Sequence, residues 1–215
     1  MSIPPKEPKI YHITHVDNLS KIIAEQAILS DAQMIARGNG NANVGMSAIK
    51  QRRLRLPISC LPNLCVGDCV PFYFCPRSVM LCVIYYQNNP SLKYVGGQDP
   101  IVHLEANLFE VVEYAGLTGK RWAFSLSNAG SNYAEFRDKL EELVEINWEA
   151  VAAQNFRASD VKEGKQAEFL FNGSFPWSLV KRIGVKSNTV KIQVQTVLDK
   201  SVHKPQLDLM RDWYY

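Results

Sequence analysis

The chain has 215 residues, 47% hydrophobic and 21% charged, with a net charge of +3. That length sustains one domain with a substantial core, and the composition excludes a disordered tail. So small a charge excludes a protein that coats nucleic acid through a broad field, leaving only a local nucleic-acid surface. Residues 1–9 contain Pro4, Pro5 and Pro8 and no apolar run, so they read as an arm and not a signal peptide. The segment 10–14 (IYHIT) alternates as a strand, and Asp17 is placed to cap a helix over about 18–26, with Leu19, Ile22 and Ile23 inward. Residues 37–45 (RGNGNANVG) predict a surface loop, followed by the basic run 50–55 (KQRRLR).

The stretch 70–86 (VPFYFCPRSVMLCVIYY) is the most apolar and aromatic, and predicts two strands or a strand and a helix, interrupted at Pro76. Strands are expected at 101–104, 122–126, 167–171 and 180–185. Helices are expected at 106–115, stopping at Gly116, at 187–198, and at 133–146, where Phe136, Leu140, Leu143 and Val144 are spaced for one buried stripe. The polar stretch 155–166 predicts a loop. Strands and helices without regular alternation indicate an α+β fold in a single domain over 1–215. No run of about 18 apolar residues offers a membrane span. The cysteines at 60, 65, 69, 75 and 82 form no CxxC pair, which favours reduced free thiols in a cytoplasmic protein over a metal site.

Several chemistries are missing. Position 43 is Asn, so the glycines at 38 and 40 do not complete GxGxxG, and no P-loop, HExxH or GxSxG motif occurs. What remains are polar residues in apolar surroundings. His12 lies mid-strand, where a hydrogen-bonded core histidine is the plainer alternative to a ligand-binding one. Glu168 lies between Ala167 and Phe169-Leu170-Phe171, and a carboxylate there needs a partner or a role. Lys50, Arg52, Arg53 and Arg55 form either a solvated face or a phosphate clamp.

Together, IYHITHVDNL (10–19), KQRRLR (50–55), VPFYFCPRS (70–78), YVGGQDPIVHL (94–104), KQAEFLF (165–171), PW (176–177) and DWYY (212–215) resemble the DarT family of bacterial DNA ADP-ribosyltransferase toxins, nearly end to end. The resemblance implies an ADP-ribosyltransferase fold, with split small β-sheets and surrounding helices around an NAD cleft. It implies NAD as ADP-ribose donor, no metal, and sequence-specific transfer to a thymidine base in single-stranded DNA with release of nicotinamide. A macrodomain antitoxin would reverse the modification, and the enzyme would be cytoplasmic and monomeric. Glu168 and Arg53 match the family's catalytic residues. His12, Ile13, Thr14, Lys21, Leu29, Arg53 and Tyr73 match its NAD-contacting positions. Residues 35–55 would form an NAD-covering loop, and 120–168 the substrate loop region, where Asn128 stands in place of a histidine found in some members. Transfer to guanosine, RNA or protein, or a non-catalytic nucleic-acid-binding module, are the alternative readings.

Overall fold

The computed structural model describes residues 3–38 and 44–215; residues 39–43, within the expected 37–45 loop, lie outside the described residues. The chain runs β1 (Lys9–His15), α1 (Leu19–Ala24), β2 (Ala27–Leu29), α2 (Asp31–Ala36) and α3 (Ser47–Arg53). It continues through β3 (Cys69–Tyr73), α4 (Val79–Tyr86), β4 (Ile101–Asn107), α5 (Leu108–Thr118), β5 (Trp122–Asn128) and β6 (Phe136–Arg137). It ends with α6 (Trp148–Ala152), α7 (Ser159–Gly164), β7 (Ala167–Asn172), β8 (Ser174–Pro176), β9 (Arg182–Val185), α8 (Asn188–Leu198) and β10 (Gln206–Leu209). Among the described residues no helix is long and apolar enough to cross a membrane.

Eight strands form one sheet in the order β10-β9-β4-β1-β3-β7-β5-β6, and β2 pairs with β8 in a separate ladder. The ladders are antiparallel except β9–β10. β1 pairs with β4 from Lys9↔Asn107 to His15↔Ile101, and β3 pairs with β7 from Cys69↔Asn172 to Tyr73↔Glu168. Between β1 and β3 the ladder has a single register pair, Tyr11↔Tyr73. The two small sheets expected from the sequence are thus halves of one sheet, parted along most of that junction.

Alternation sorts the strand residues onto two faces. Ile10, Phe72, Leu104, Phe169 and Phe171 share the main core with Leu19 and Ile22 of α1, Val111 of α5 and Val194 of α8. The opposite face carries two smaller clusters, one around Ile58, Leu64, Ala123 and Leu170, the other around Ile13, Leu81, Ile101 and Trp213.

Four expectations change. The helix over 18–26 begins with a 3₁₀ turn at Val16–Asn18, and His15, not Asp17, supplies the capping acceptor. α5 passes through Gly116 and stops at Gly119, whose φ of +65° is the left-handed position a helix end uses. The helix over 133–146 does not form. Phe136 pairs with Ser125 at the open edge of β5, a 3₁₀ segment covers Leu140–Glu145, and Val144 is exposed. Four apolar spacings cannot distinguish a helix from a strand and a turn when a sheet edge offers backbone partners. The 155–166 loop contains α7, which lies so close to α6 that a Cβ on Gly164 would stand 2.9 Å from that of Ala150.

His103 on β4 is fully buried; its Nε2–H donates to the Pro76 carbonyl at 2.9 Å, while Nδ1 has no partner. Burial pushes its imidazole down to about 4, so the fold accommodates only the neutral ring above that pH. Because the folded value lies below the unfolded one, the stabilisation is present above about pH 6.5 and is lost as pH falls towards 4, amounting to on the order of 3 kcal/mol. Thermal melts of His103→Phe should show a shallower loss of Tm across that window than the wild type. An unchanged slope would assign the acid loss to other groups.

Candidate active site

β7 lies between β3 and β5, and from Ala167 to Phe171 its residues are buried and apolar except Glu168, which is 5% exposed. The register of β5 against β7 shifts between Phe124 and Asn128. In that irregular stretch the Glu168 backbone N–H donates to Ser125 Oγ at 3.1 Å, and Ser125 Oγ donates to the Ser127 carbonyl at 2.6 Å. A bulge that would leave an unpaired amide is satisfied by a serine hydroxyl, and Glu168 is held on rigid backbone.

Arg53, at the end of α3, faces this carboxylate. Its Nη1 donates to Glu168 Oε1 at 3.0 Å and its Nη2 to Oε2 at 2.8 Å, a two-point fork with both side chains buried. Burial alone would disfavour the guanidinium charge, but the Glu168 charge and hydrogen bonds outweigh it and hold Arg53 above its ordinary value. Arg53 therefore stays a cation and is no proton acceptor. Tyr73 is the register partner of Glu168, and burial together with the Glu168 charge pushes its phenol up. Two bonds from Arg53 leave the carboxylate oxygens further lone pairs for a hydroxyl.

His12 stands where β1 and β3 part. Its Nδ1–H donates to the Pro71 carbonyl at 2.9 Å, because that oxygen can only accept, and Nε2 is left as the imidazole's acceptor. Burial, and secondarily the Lys50 charge, hold this ring below its ordinary value against the opposing Pro71 hydrogen bond. Thr14 Oγ1 accepts from Asn18 Nδ2 at 3.0 Å, and Ile13 is packed in the cluster with Leu81 and Trp213. Leu29 is half-buried on β2, and Lys21 is exposed on α1.

The basic run is divided by the helix that carries it. Arg53 turns inward, Lys50 Nζ donates to Asp31 Oδ1 at 2.9 Å, and Arg52 and Arg55 remain exposed beside a depression of about 430 Å³ that also touches Asn132. The run is thus neither one solvated face nor one phosphate clamp, and the 35–55 segment contains a helix, since α3 occupies Ser47–Arg53. The 120–168 region contains β5, β6, α6 and α7. In it Asn128 Nδ2 donates to Gln166 Oε1 at 3.2 Å, and Asn128 Oδ1 accepts from the Gly130 amide at 2.8 Å. Trp122 stacks on Phe169 at 5.7 Å, a packing role and not an exposed stacking surface. Ser125 and Asp31 were missed from the sequence. Ser125 carries no signal except its place in a strand, whereas Asp31 follows the helix cap Ser30. Among the described residues no group of three or more His, Cys, Asp or Glu side chains could hold a metal.

A model of the family described as "ssDNA thymidine ADP-ribosyltransferase, DarT" matches residues 11–215. A DNA ADP-ribosyl transferase of Thermus sp. (strain 2.9) is 36% identical over 214 residues, covering 98% of both chains. One from Mycobacterium tuberculosis is 28% identical, over 91% of this chain and 84% of that one. The structure of Thermus sp. 2.9 DarT in complex with ADP-ribosylated ssDNA superposes with a TM-score of 0.90 at 34% identity, over 100% of this chain and 99% of that one. The same enzyme in complex with NAD+ gives a TM-score of 0.80 at 32% identity, over 99% of this chain and 100% of that one.

Proposed function

The chain belongs to the DarT family, and from that premise we propose that it transfers ADP-ribose from NAD+ to a thymidine base in single-stranded DNA, as the sequence-specific toxin of a toxin–antitoxin pair. The observation that carries the chemistry is the buried Arg53–Glu168 fork on a rigid strand, beside the parting of β1 from β3.

The residues present fit the donor. Glu168 keeps lone pairs for a ribose hydroxyl, and His12 Nε2 and Thr14 offer short, uncharged hydrogen bonds. NAD+ supplies an electrophilic ribose carbon and a nicotinamide leaving group. Glu168, fixed by Arg53 and by the Ser125 hydroxyl on its backbone, binds that sugar and stabilises the positive charge that develops as the glycosidic bond breaks. Arg53 orients the carboxylate and can polarise the base. Since it does not deprotonate, the proton of thymine N3 passes to Glu168 or to the nucleotide itself. A paired base hides N3, so single strands are preferred to duplex. Tyr73, beside the carboxylate, is assigned to the nicotinamide side of the pocket, with Ile13 lining it and Lys21 and Leu29 at its margin.

The same reading takes the chain as one cytoplasmic, monomeric domain, with 35–55 covering NAD+, 120–168 meeting the DNA and a macrodomain partner removing the product. The test is mass spectrometry of mixed-sequence oligonucleotides incubated with NAD+ and the protein. One ADP-ribose should be added to thymine-containing single strands. An N3-methylthymidine at the target should block it. Labelling of that strand, or of one lacking thymine, would move the acceptor to guanosine. Labelling only of RNA or protein would overturn DNA as the substrate.

A further inference from the structure

Beyond β3 the chain turns through residues 74–78 into α4, and residues 211–215 and the α6–α7 region close over that turn around a cavity of about 250 Å³. The cavity neighbours the site along two strands, since Cys75 in its wall lies two residues past Tyr73, the register partner of Glu168, and Lys165 lies three residues before Glu168.

Asp212 lines the same wall, yet among the described residues neither of its two cations, Lys165 and Arg77, has a carboxylate within ion-pair distance. Lys165 is only 3% exposed, and its Nζ donates to the Val151 carbonyl at 2.7 Å. The Arg77 Nε is buried with no hydrogen-bond partner, and its guanidinium lies 4.3 Å from the centre of the Tyr215 ring. Burying cations without anions is costly, and a ligand bearing negative charge offsets that cost.

Aromatic rings lead outward from these cations. Phe156 and Tyr85 both pack on Tyr215, at 6.2 and 6.3 Å, and Tyr86 packs on Tyr85 at 4.9 Å. Tyr85 and Tyr86 are 49% and 62% exposed. Exposed rings interleaved with cations suit single-stranded nucleic acid, whose bases each present a stacking face and whose phosphates each carry a charge. A duplex would present only the charges.

We infer that this strip holds the nucleotides flanking the target base, with phosphates at Lys165 and Arg77 and bases stacked on Tyr85 and Tyr86. The inference rests on the DNA-modifying function above. It extends the DNA footprint past the catalytic pocket.

Fluorescence anisotropy tests it with labelled single strands of about four and about fifteen nucleotides containing the target, on the wild type and a Tyr85→Ala/Tyr86→Ala variant. The longer strand should bind the variant at least about tenfold more weakly, with the short strand and the KM for NAD+ unaffected. Arg77→Gln should lower the log–log salt slope for the longer strand by about 0.7. Equal affinity of variant and wild type for the longer strand overturns the strip while leaving the function intact. A wild type that binds neither strand overturns both. A variant whose oligomeric state changes while its DNA affinity does not makes the strip a contact between copies, and overturns its assignment to DNA.

Discussion

Replacing Glu168 by Gln should reduce ADP-ribose transfer by about 10²–10³-fold while NAD+ binding, followed by calorimetry, changes little. The amide keeps the volume and one acceptor for Arg53 but lacks the negative charge that the developing ribose cation requires. Glu168→Ala should behave differently, because it leaves the Arg53 guanidinium buried and unpaired. The loss is expected to be about 3–5 kcal/mol, lowering Tm by on the order of 10 °C. A Gln variant that modifies DNA at close to the wild-type rate would make Glu168 a structural residue and remove the site assignment. An Ala variant that melts with the wild type would show that the fork contributes nothing to the fold.

Arg53→Lys should lower kcat by about 100-fold or more, and Arg52→Lys should leave it within about threefold. Lysine keeps the charge at position 53 but replaces two parallel hydrogen bonds with one rotatable donor, so the Glu168 oxygens lose their fixed orientation. Arg52 is exposed on the same helix and makes no ion pair among the described residues that lysine could not replace. A double-variant cycle of Arg53→Lys with Glu168→Gln should be strongly non-additive, since each single change already disables the same fork. Equal loss at 52 and 53, or an additive cycle, would mean that the basic run acts as a diffuse patch and that no single arginine organises the site.

How readily each part could be read from the sequence follows from how local its cause is. β1, β3 and β7 were visible because strand alternation and unbroken apolar runs are properties of adjacent residues. Glu168 stood out for the same reason, as a carboxylate that an apolar strand cannot bury alone. The strip of Tyr85, Tyr215 and Phe156 could not stand out, because its rings come from segments far apart in the chain.

The chain by itself determined its α+β class, most strands, the family motifs and Glu168 as a residue in need of a partner, since composition, periodicity and burial cost act locally. The family motifs single out Arg53, and the tertiary structure adds that it is the partner of Glu168, because the turn of α3 and the position of β7 together select which guanidinium points inward. It also decided that Phe136 joins a strand: the unpaired edge of β5 supplies hydrogen bonds that the apolar spacing over 133–146 could not foresee. The single register pair between β1 and β3 belongs to the same level. A ladder opens or closes according to how its neighbours pack, and there it leaves His12 bonded to the Pro71 carbonyl where the two strands part.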